Sequence, residues 1–145
     1  MIGLLQRVQR ARVTAEARPE AAIGAGLLVL VGVERDDDES RAQRLLERIL
    51  GYRVFADEAG RMNRGLRQAG GSLLLVPQFT LAADTRKGTR ASFQTAAPPE
   101  TAQALFHHLC RLADAAHQPV AHGWFGADMA VELVNDGPVT FWLDA

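Results

Sequence analysis

Ile23-Gly24-Ala25-Gly26-Leu27-Leu28-Val29-Leu30-Val31-Gly32-Val33 is the longest apolar run of the chain, and it decides the fold class. Its Leu and Val residues favour a mostly buried strand. Three glycines interrupt the run, and it is too short to span a bilayer. Toward the N-terminus, apolar and polar residues interleave over residues 1–15, which predicts another strand. Because only a turn at Arg18-Pro19-Glu20 separates the two, they are expected to pair as an antiparallel ribbon.

Two helices are predicted farther along the chain. After Asp36-Asp37-Asp38-Glu39, apolar residues recur at helical spacing from position 42 to position 50, and Gly51 lies just past them. The acidic run is better explained as the first turn of this helix, where carboxylates cap free N–H groups, than as a metal site. The second helix opens at Pro98-Pro99-Glu100, because proline is tolerated in a first helical turn.

The remaining pattern consists of short strands and turns. Strands are predicted at 52–55 and 62–66 around a hairpin turn at 57–60, and at 72–76, where Pro77 ends or edges the strand. A polar loop follows over 81–95, and three closing strands are predicted at 119–124, 129–134 and 139–143. The whole pattern predicts an α+β fold with a mainly antiparallel or mixed sheet.

The length and composition are those of an ordinary globular protein. The chain has 145 residues, one domain by length, with 48% apolar and 23% charged residues. A core of that size needs no disulfide or metal, and Cys110 has no partner. Residues 1–10 contain Arg7 and Arg10 and no long apolar stretch, so no signal peptide is expected and the cytoplasm is the expected location.

The net charge of −1 argues against a protein that wraps a long duplex. It leaves room for a local grip on one end of a nucleic acid. Two basic clusters are candidates for such a grip, although an ordinary solvated surface explains each equally well: Arg61, Arg64 and Arg67, and Arg86, Lys87 and Arg90.

Side-chain nucleophilic catalysis is poorly supported. The four histidines lack metal-ligand spacing with a carboxylate, Cys110 lies within an apolar helix stripe, and no serine has a Gly-x-Ser-x-Gly context. No metal and no cofactor are expected.

Two other segments present backbone groups. Pro77-Gln78-Phe79-Thr80-Leu81 follows a buried strand, where free N–H groups can face an oxyanion, although a plain strand end with a polar exit fits it too. Asn135-Asp136-Gly137-Pro138-Val139-Thr140 is typical of a hairpin turn, and its Gly-Pro step is a place where a cis peptide costs little.

These two segments, together with Gln6-Arg7-Val8, resemble the D-aminoacyl-tRNA deacylase family. The resemblance runs over the whole chain, so residues 1–145 are expected to form a single domain of this family. Its further matching strings are Gly51-Tyr52-Arg53, Met62-Asn63, Lys87-Gly88-Thr89-Arg90, Ser92-Phe93 and Ala127-Asp128-Met129.

The resemblance implies an activity and an architecture. Members hydrolyse the ester that joins a D-amino acid to the 3′ end of tRNA, and they also remove mischarged glycine. They are homodimers of a barrel-like β fold with helices packed outside. Their cis Gly-Pro peptide reaches into the pocket of the partner subunit.

The resemblance also implies roles in substrate binding. Gly137 and Pro138 would be the chiral selector, whose carbonyls receive the amino group of the substrate. Arg7 would buttress this loop, and Met129 would pack near it. Val139, Phe141 and Trp142 are candidates for the dimer interface.

At the reacting end, the resemblance implies that Gln78, Phe79 and Thr80 line the ester end of the pocket. The family usually has Ser where this chain has Pro77, which has neither an N–H nor a hydroxyl. Either that hydroxyl is not the nucleophile of the family, or this protein is impaired. A second departure is Ala91, where the family often has proline.

The resulting mechanistic hypothesis is attack by water on the ester carbonyl, with backbone amides near Phe79 and Thr80 stabilising the oxyanion. No general base is evident; the 2′-OH of the terminal ribose is a candidate, and Asp136 is better read as a turn stabiliser. Three alternatives stay open: a related deacylase for L-alanine on tRNA with a trans Gly-Pro, a non-enzymatic RNA-binding domain, and a structural dimer without a pocket.

Overall fold

The first strand organises the sheet of the computed structural model, which describes residues 1–145. Strand β1, Ile2–Ala15, pairs on one side with β3, Gly26–Gly32, and farther along with β2, Ala21–Ile23, both antiparallel. Its other side pairs antiparallel with the last strand, β8, Met129–Asp144. The predicted antiparallel ribbon at the start of the chain is therefore confirmed.

The sheet is mixed because its other half is parallel. Strand β6, Ser72–Pro77, lies between β3 and β7, Val120–His122, and runs parallel to both. The six strands curve into a nearly closed barrel, as the family resemblance implies. A separate two-stranded ribbon is formed by β4, Phe55–Ala56, and β5, Met62–Arg64, around the predicted turn.

Two long helices cover one face of the sheet. Helix α1 is Glu39–Gly51 and helix α3 is Pro99–Ala116; α2, Leu66–Ala69, is one turn that the sequence did not predict. The apolar stripes of α1 and α3 enter a cluster of 22 buried residues. None of the three α-helices combines the length and apolar character that a bilayer-spanning segment needs.

Both faces of β3 are buried, which explains its unbroken apolar run. Leu27, Val29 and Val31 face the helices, whereas Leu28 joins a second cluster of seven buried residues on the opposite face. Full burial of such a side chain contributes roughly 1.5–3 kcal/mol. Burial of both faces therefore stabilises this central strand.

The acidic run before α1 acts as a helix start, as expected. The Asp38 carboxylate accepts the N–H of Arg41 at 2.9 Å. The Asp37 carboxylate lies 2.6 Å from the Met1 ammonium and accepts the N–H of Glu34. Asp38 is the N-cap of α1 and Glu39 lies in its first turn, so the interpretation of the acidic run as a helix start is confirmed.

Residues 23–33 form two strands rather than the expected one, with a bend at Gly24-Ala25. Directly after the bend, β3 packs closely against β6, where a Cβ on Gly26 would lie 1.9 Å from the Ser72 carbonyl oxygen. Only glycine allows β6 to approach β3 at this point.

The expected hairpin turn at 135–140 is wrong. Strand β8 continues through this segment instead of folding back, because β1 is long enough to pair with both halves of it. Thr140 pairs with Gln6 and Asn135 pairs with Val8, which leaves residues 136–139 bulging opposite Arg7 alone. The two strands predicted at 129–134 and 139–143 are thus one strand with a large bulge.

Candidate functional site

The end of β6 positions the first expected site segment. The Gln78 N–H donates to the Val31 carbonyl at 2.7 Å, which continues the β3–β6 contact one residue past Pro77. A short 3₁₀ helix, Phe79–Ala82, follows at once. The amides of Phe79 and Thr80 donate to no acceptor in the chain. Two backbone N–H groups are therefore held next to each other and free to bind a ligand.

The side chains of this segment add one polar contact and one exposed ring. The Gln78 amide nitrogen donates to the Thr80 hydroxyl oxygen at 2.6 Å, which orients both groups. The Phe79 side chain is 60% exposed and contacts Phe93, with the ring centroids 5.2 Å apart. Phe93 is exposed as well, so the two rings form a contiguous apolar patch, and such patches are candidates for binding.

A cavity of about 770 Å³ opens beside this segment. That volume lies within the range of small-molecule sites, roughly 300–1,000 Å³. Its walls are the end of β6, the start of α3, residues 125–128 and the first residues of β8. The lining is mainly apolar, and its two charged members, Arg35 and Asp128, were given no role from the sequence.

Met129 lies in the wall of this cavity. Its sulfur accepts the Trp124 N–H at 3.4 Å and would touch a Cβ on Gly123 at 3.1 Å. Within one chain Met129 is therefore near Gln78 and not beside Gly137, where the resemblance placed it.

The second expected segment is the bulge opposite Arg7. The guanidinium of Arg7 donates from Nε to the Asp136 carbonyl at 3.0 Å and from Nη1 to the Val54 carbonyl. Gly137, at φ +131°, lies in a backbone region that side chains rarely adopt, and the Gly137–Pro138 peptide is cis. Arg7 thus supports this loop, as the resemblance implies.

Asn135 closes the base of the bulge. Its side-chain oxygen accepts the Val139 N–H at 3.0 Å, and its nitrogen donates to the Thr140 hydroxyl at 2.8 Å. Gly137 and Pro138 at the tip are exposed. The bulge therefore presents a fixed backbone to solvent, although nothing in the sequence pattern distinguished this arrangement from a turn.

The two segments are far apart in one chain. Neither Arg7, Gly137 nor Pro138 lines the cavity. Asn135 lies six residues beyond Met129 in β8, about 20 Å at the usual rise of a strand. The structure therefore brings Gln78, Phe79 and Met129 to the cavity and Arg7, Gly137 and Pro138 to another place. Thr80 does not line the cavity, although its hydroxyl contacts Gln78, which does.

No histidine, cysteine or serine lines the cavity. None of the four histidines lines it; His117 contacts the Gly71 carbonyl at 2.7 Å and His122 lies 3.1 Å from the Asp114 carboxylate. Burial raises the pKa of the Cys110 thiol to about 12, so it stays protonated. No group of three or more His, Cys, Asp or Glu side chains is placed to hold a metal.

Comparison with known proteins gives consistent matches over the whole chain. A family model described as D-Tyr-tRNA(Tyr) deacylase matches residues 4–144. The chain is 66% identical over 145 residues to a D-aminoacyl-tRNA deacylase of Alkalilimnicola ehrlichii, covering 100% of this chain and 97% of that protein. It is 57% identical over 143 residues to a D-aminoacyl-tRNA deacylase of Escherichia coli, covering 99% of each.

Solved structures show the same fold. A structure titled c-Myc DNA Unwinding Element Binding Protein superposes with a TM-score of 0.94 at 34% identity, over 100% of this chain and 99% of that one. A probable eukaryotic D-amino acid tRNA deacylase superposes with a TM-score of 0.84 at 16% identity, over 99% of this chain and 98% of that one.

Proposed function

Because this chain belongs to the D-Tyr-tRNA(Tyr) deacylase family and is a hydrolase, we propose that it removes D-amino acids and glycine from the 3′ end of tRNA in the cytoplasm, where translation uses tRNA. The observation that carries this proposal is the pair of free amides, of Phe79 and Thr80, at the mouth of a mainly apolar cavity without a side-chain nucleophile.

Those amides suit an ester whose carbonyl oxygen gains negative charge during the reaction. Water attacks the carbonyl carbon, and the two N–H groups stabilise the oxyanion that forms. The ester C–O bond then breaks, and the proton from the attacking water ends on the ribose oxygen that leaves. The 2′-OH beside the ester orients the water, and the Gln78–Thr80 hydrogen bond fixes the polar side chains around it.

Chirality is selected by exclusion. The carbonyls of Gly137 and Pro138 receive the amino group, and the amides of Phe79 and Thr80 hold the ester. With both ends fixed, the side chain of an L-residue points into the wall, whereas that of a D-residue points to solvent. A clash discriminates better than pocket attraction, which gives about 1–3 kcal/mol per methylene. Glycine has no side chain and is accepted.

This scheme requires two copies of the chain. The Gly137–Pro138 tip is exposed and lies outside the cavity of its own chain. In a homodimer the tip of one subunit enters the cavity of the other. The bonds of Arg7 to the Asp136 and Val54 carbonyls hold the tip in place for that contact.

The test is the deacylation rate of tRNA charged with D-Tyr, L-Tyr or glycine. We expect fast release of D-Tyr and glycine and slow release of L-Tyr. Comparable rates for D-Tyr and L-Tyr would reject the scheme, and a preference for L-amino acids would indicate the L-alanine type of deacylase instead.

The roles of side chains are tested with three variants. Thr80→Ala and Gln78→Ala are expected to lower the rate on D-Tyr-tRNA. Asp136→Asn is expected to leave most of it, because the hydrogen bond from Arg7 to the Asp136 backbone carbonyl at 3.0 Å is kept. The variant loses only the longer ion pair, 3.5 Å from Arg7 Nε to the half-exposed Asp136 carboxylate. The mechanism fails if both alanine variants keep full activity while Asp136→Asn abolishes it.

A further inference from the structure

A basic loop stands beside the cavity. This loop, called here the basic finger, runs from Asp84 to Ser92, and its ends are joined by two backbone hydrogen bonds of 2.8 and 3.0 Å. Residues 85–91 are all exposed, and Gly88 at φ +66° forms part of the turn at the tip. The finger therefore projects into solvent from a closed base.

The base of the finger is joined to the cavity wall. Phe93, the next residue after Ser92, lines the cavity and contacts Phe79. The Thr95 hydroxyl donates to the Ala82 carbonyl at the end of the 3₁₀ helix. Gly88 is five residues from Phe93, so the tip lies at most about 18 Å from the cavity mouth along the chain.

One cation of the finger, Arg86, forms an ion pair within the loop and stabilises its conformation. Arg86 forms a two-point pair with the Asp84 carboxylate, at 2.9 Å from Nε and 2.6 Å from Nη2, and its own N–H also donates to that carboxylate. These contacts lower the pKa of Asp84 to about 2, so the carboxylate stays ionised at neutral pH.

The other two cations of the finger form no ion pair within the chain. Lys87 and Arg90 are exposed and have no carboxylate or carbonyl partner in the chain. The finger thus carries a local positive charge although the whole chain has a net charge of −1. Unpaired cations on an exposed loop are suited to bind phosphates.

The second basic cluster of the chain is not equivalent. Arg64 donates to the Gln68 carbonyl at 2.7 Å and Arg67 to the Ala116 carbonyl at 3.2 Å. Arg67 lines a separate groove between the helices. Arg64 and Arg67 support the fold away from the cavity, and Arg35, which lines the cavity, donates to the Gln94 carbonyl at 3.0 Å. The finger therefore carries the unpaired cations next to the proposed ester site.

We propose that the basic finger binds backbone phosphates of the tRNA acceptor end whose terminal ester occupies the cavity, a proposal that rests on the proposed function. Lys87 and Arg90 contact the phosphates, and Arg86 is a positioning residue that acts through Asp84. At a stacked spacing of about 3.4 Å per phosphate, 18 Å corresponds to roughly five phosphates along one strand. The contacts therefore fall within the last few nucleotides.

The test compares a substrate that has phosphates with one that has none. The double variant Lys87→Gln/Arg90→Gln is assayed on D-Tyr-tRNA over a series of KCl concentrations, and on the 3′ D-tyrosyl ester of adenosine. On tRNA we expect KM to rise about tenfold. We also expect the slope of log kcat/KM against log salt to become shallower by about 1.4, or about 0.7 for each lost contact to a single strand. On the adenosine ester we expect no change.

The matched control is Arg44→Gln/Arg111→Gln, which removes the same charge from exposed positions of α1 and α3. It should keep the wild-type salt slope. The proposal is overturned if the finger variant also keeps that slope, or if it loses activity equally on both substrates. Whether the wild-type protein hydrolyses the adenosine ester at all tests the proposed function separately.

Discussion

At the residue scale, Arg7 connects two parts of the chain through a single side chain. It lies in the middle of β1, opposite the bulge, and its guanidinium holds two carbonyls from distant parts of the chain. The guanidinium is planar and carries several donors in a fixed arrangement, so it can bond both carbonyls. A lysine ammonium is a compact point charge and does not reproduce this arrangement of donors. Arg7 thus links Val54, the residue before β4, to the bulge.

We therefore expect Arg7→Lys to lower kcat/KM on D-Tyr-tRNA by about 10–100-fold. Loss of a hydrogen bond to a charged group costs roughly 1.5–3 kcal/mol, and each 1.4 kcal/mol is tenfold in rate. Steady-state kinetics measure this directly, and urea unfolding reports any accompanying loss of stability.

Arg12→Lys is the matched control on the same strand. Arg12 pairs with Glu132 at 2.7 Å on the exposed surface, where such pairs contribute about 0–1 kcal/mol. Its kcat/KM should stay close to wild type. Full activity of Arg7→Lys would show that the bulge needs no support from this residue.

At the scale of elements, the contact between β3 and β6 depends on one missing side chain. Gly26 pairs with Ser72 in the parallel register, and a Cβ there would overlap the Ser72 backbone. This contact also places Pro77 and Gln78 at the cavity, because they follow β6 directly. The proposed catalytic segment therefore depends on packing at the opposite end of its strand.

Gly26→Ala is expected to destabilise the protein by about 3 kcal/mol or more, since overpacking against a backbone cannot be relieved by a side-chain rotation. Gly24→Ala, two residues earlier, has nothing within 4 Å of its new Cβ and should change stability by less than about 0.5 kcal/mol. Chemical denaturation of the pair measures the difference, and equal stabilities would contradict the close approach.

At the scale of the whole molecule, the proposed site is divided between two surfaces. Strand β8 carries both, with Met129 in the cavity wall at its start and the bulge farther along. Its later residues include Trp142, whose side chain is 53% exposed, whereas Phe141 packs partly against Tyr52 at 5.3 Å between ring centroids. Trp142 is therefore the stronger candidate for a contact between subunits.

We expect light scattering to give the mass of a dimer, and Trp142→Glu to shift it toward the monomer with a parallel loss of activity, because the cavity then lacks the tip of a partner. Gln43→Glu adds the same charge on the exposed face of α1 and should leave the mass unchanged. An active wild-type monomer would contradict the shared site.

Local patterns were sufficient for much of this fold. Helices α1 and α3, the acidic cap at Asp38, the β1–β3 ribbon and the strand ended by Pro77 all follow from spacing, capping and turn chemistry. Each depends on residues close together along the chain, so local patterns were enough to predict them. The two backbone-presenting segments were also visible as strings, at Gln78 and at Gly137.

The conformation and relative position of those two segments depend on long-range contacts. Residues 135–140 read as a hairpin turn, yet they bulge from a continuous strand because β1, more than a hundred residues away, pairs with both sides of the bulge. The distance between Met129 and Gly137 likewise follows from the length of β8. Long-range pairing fixes register, and register is not encoded in the local alternation of apolar and polar residues.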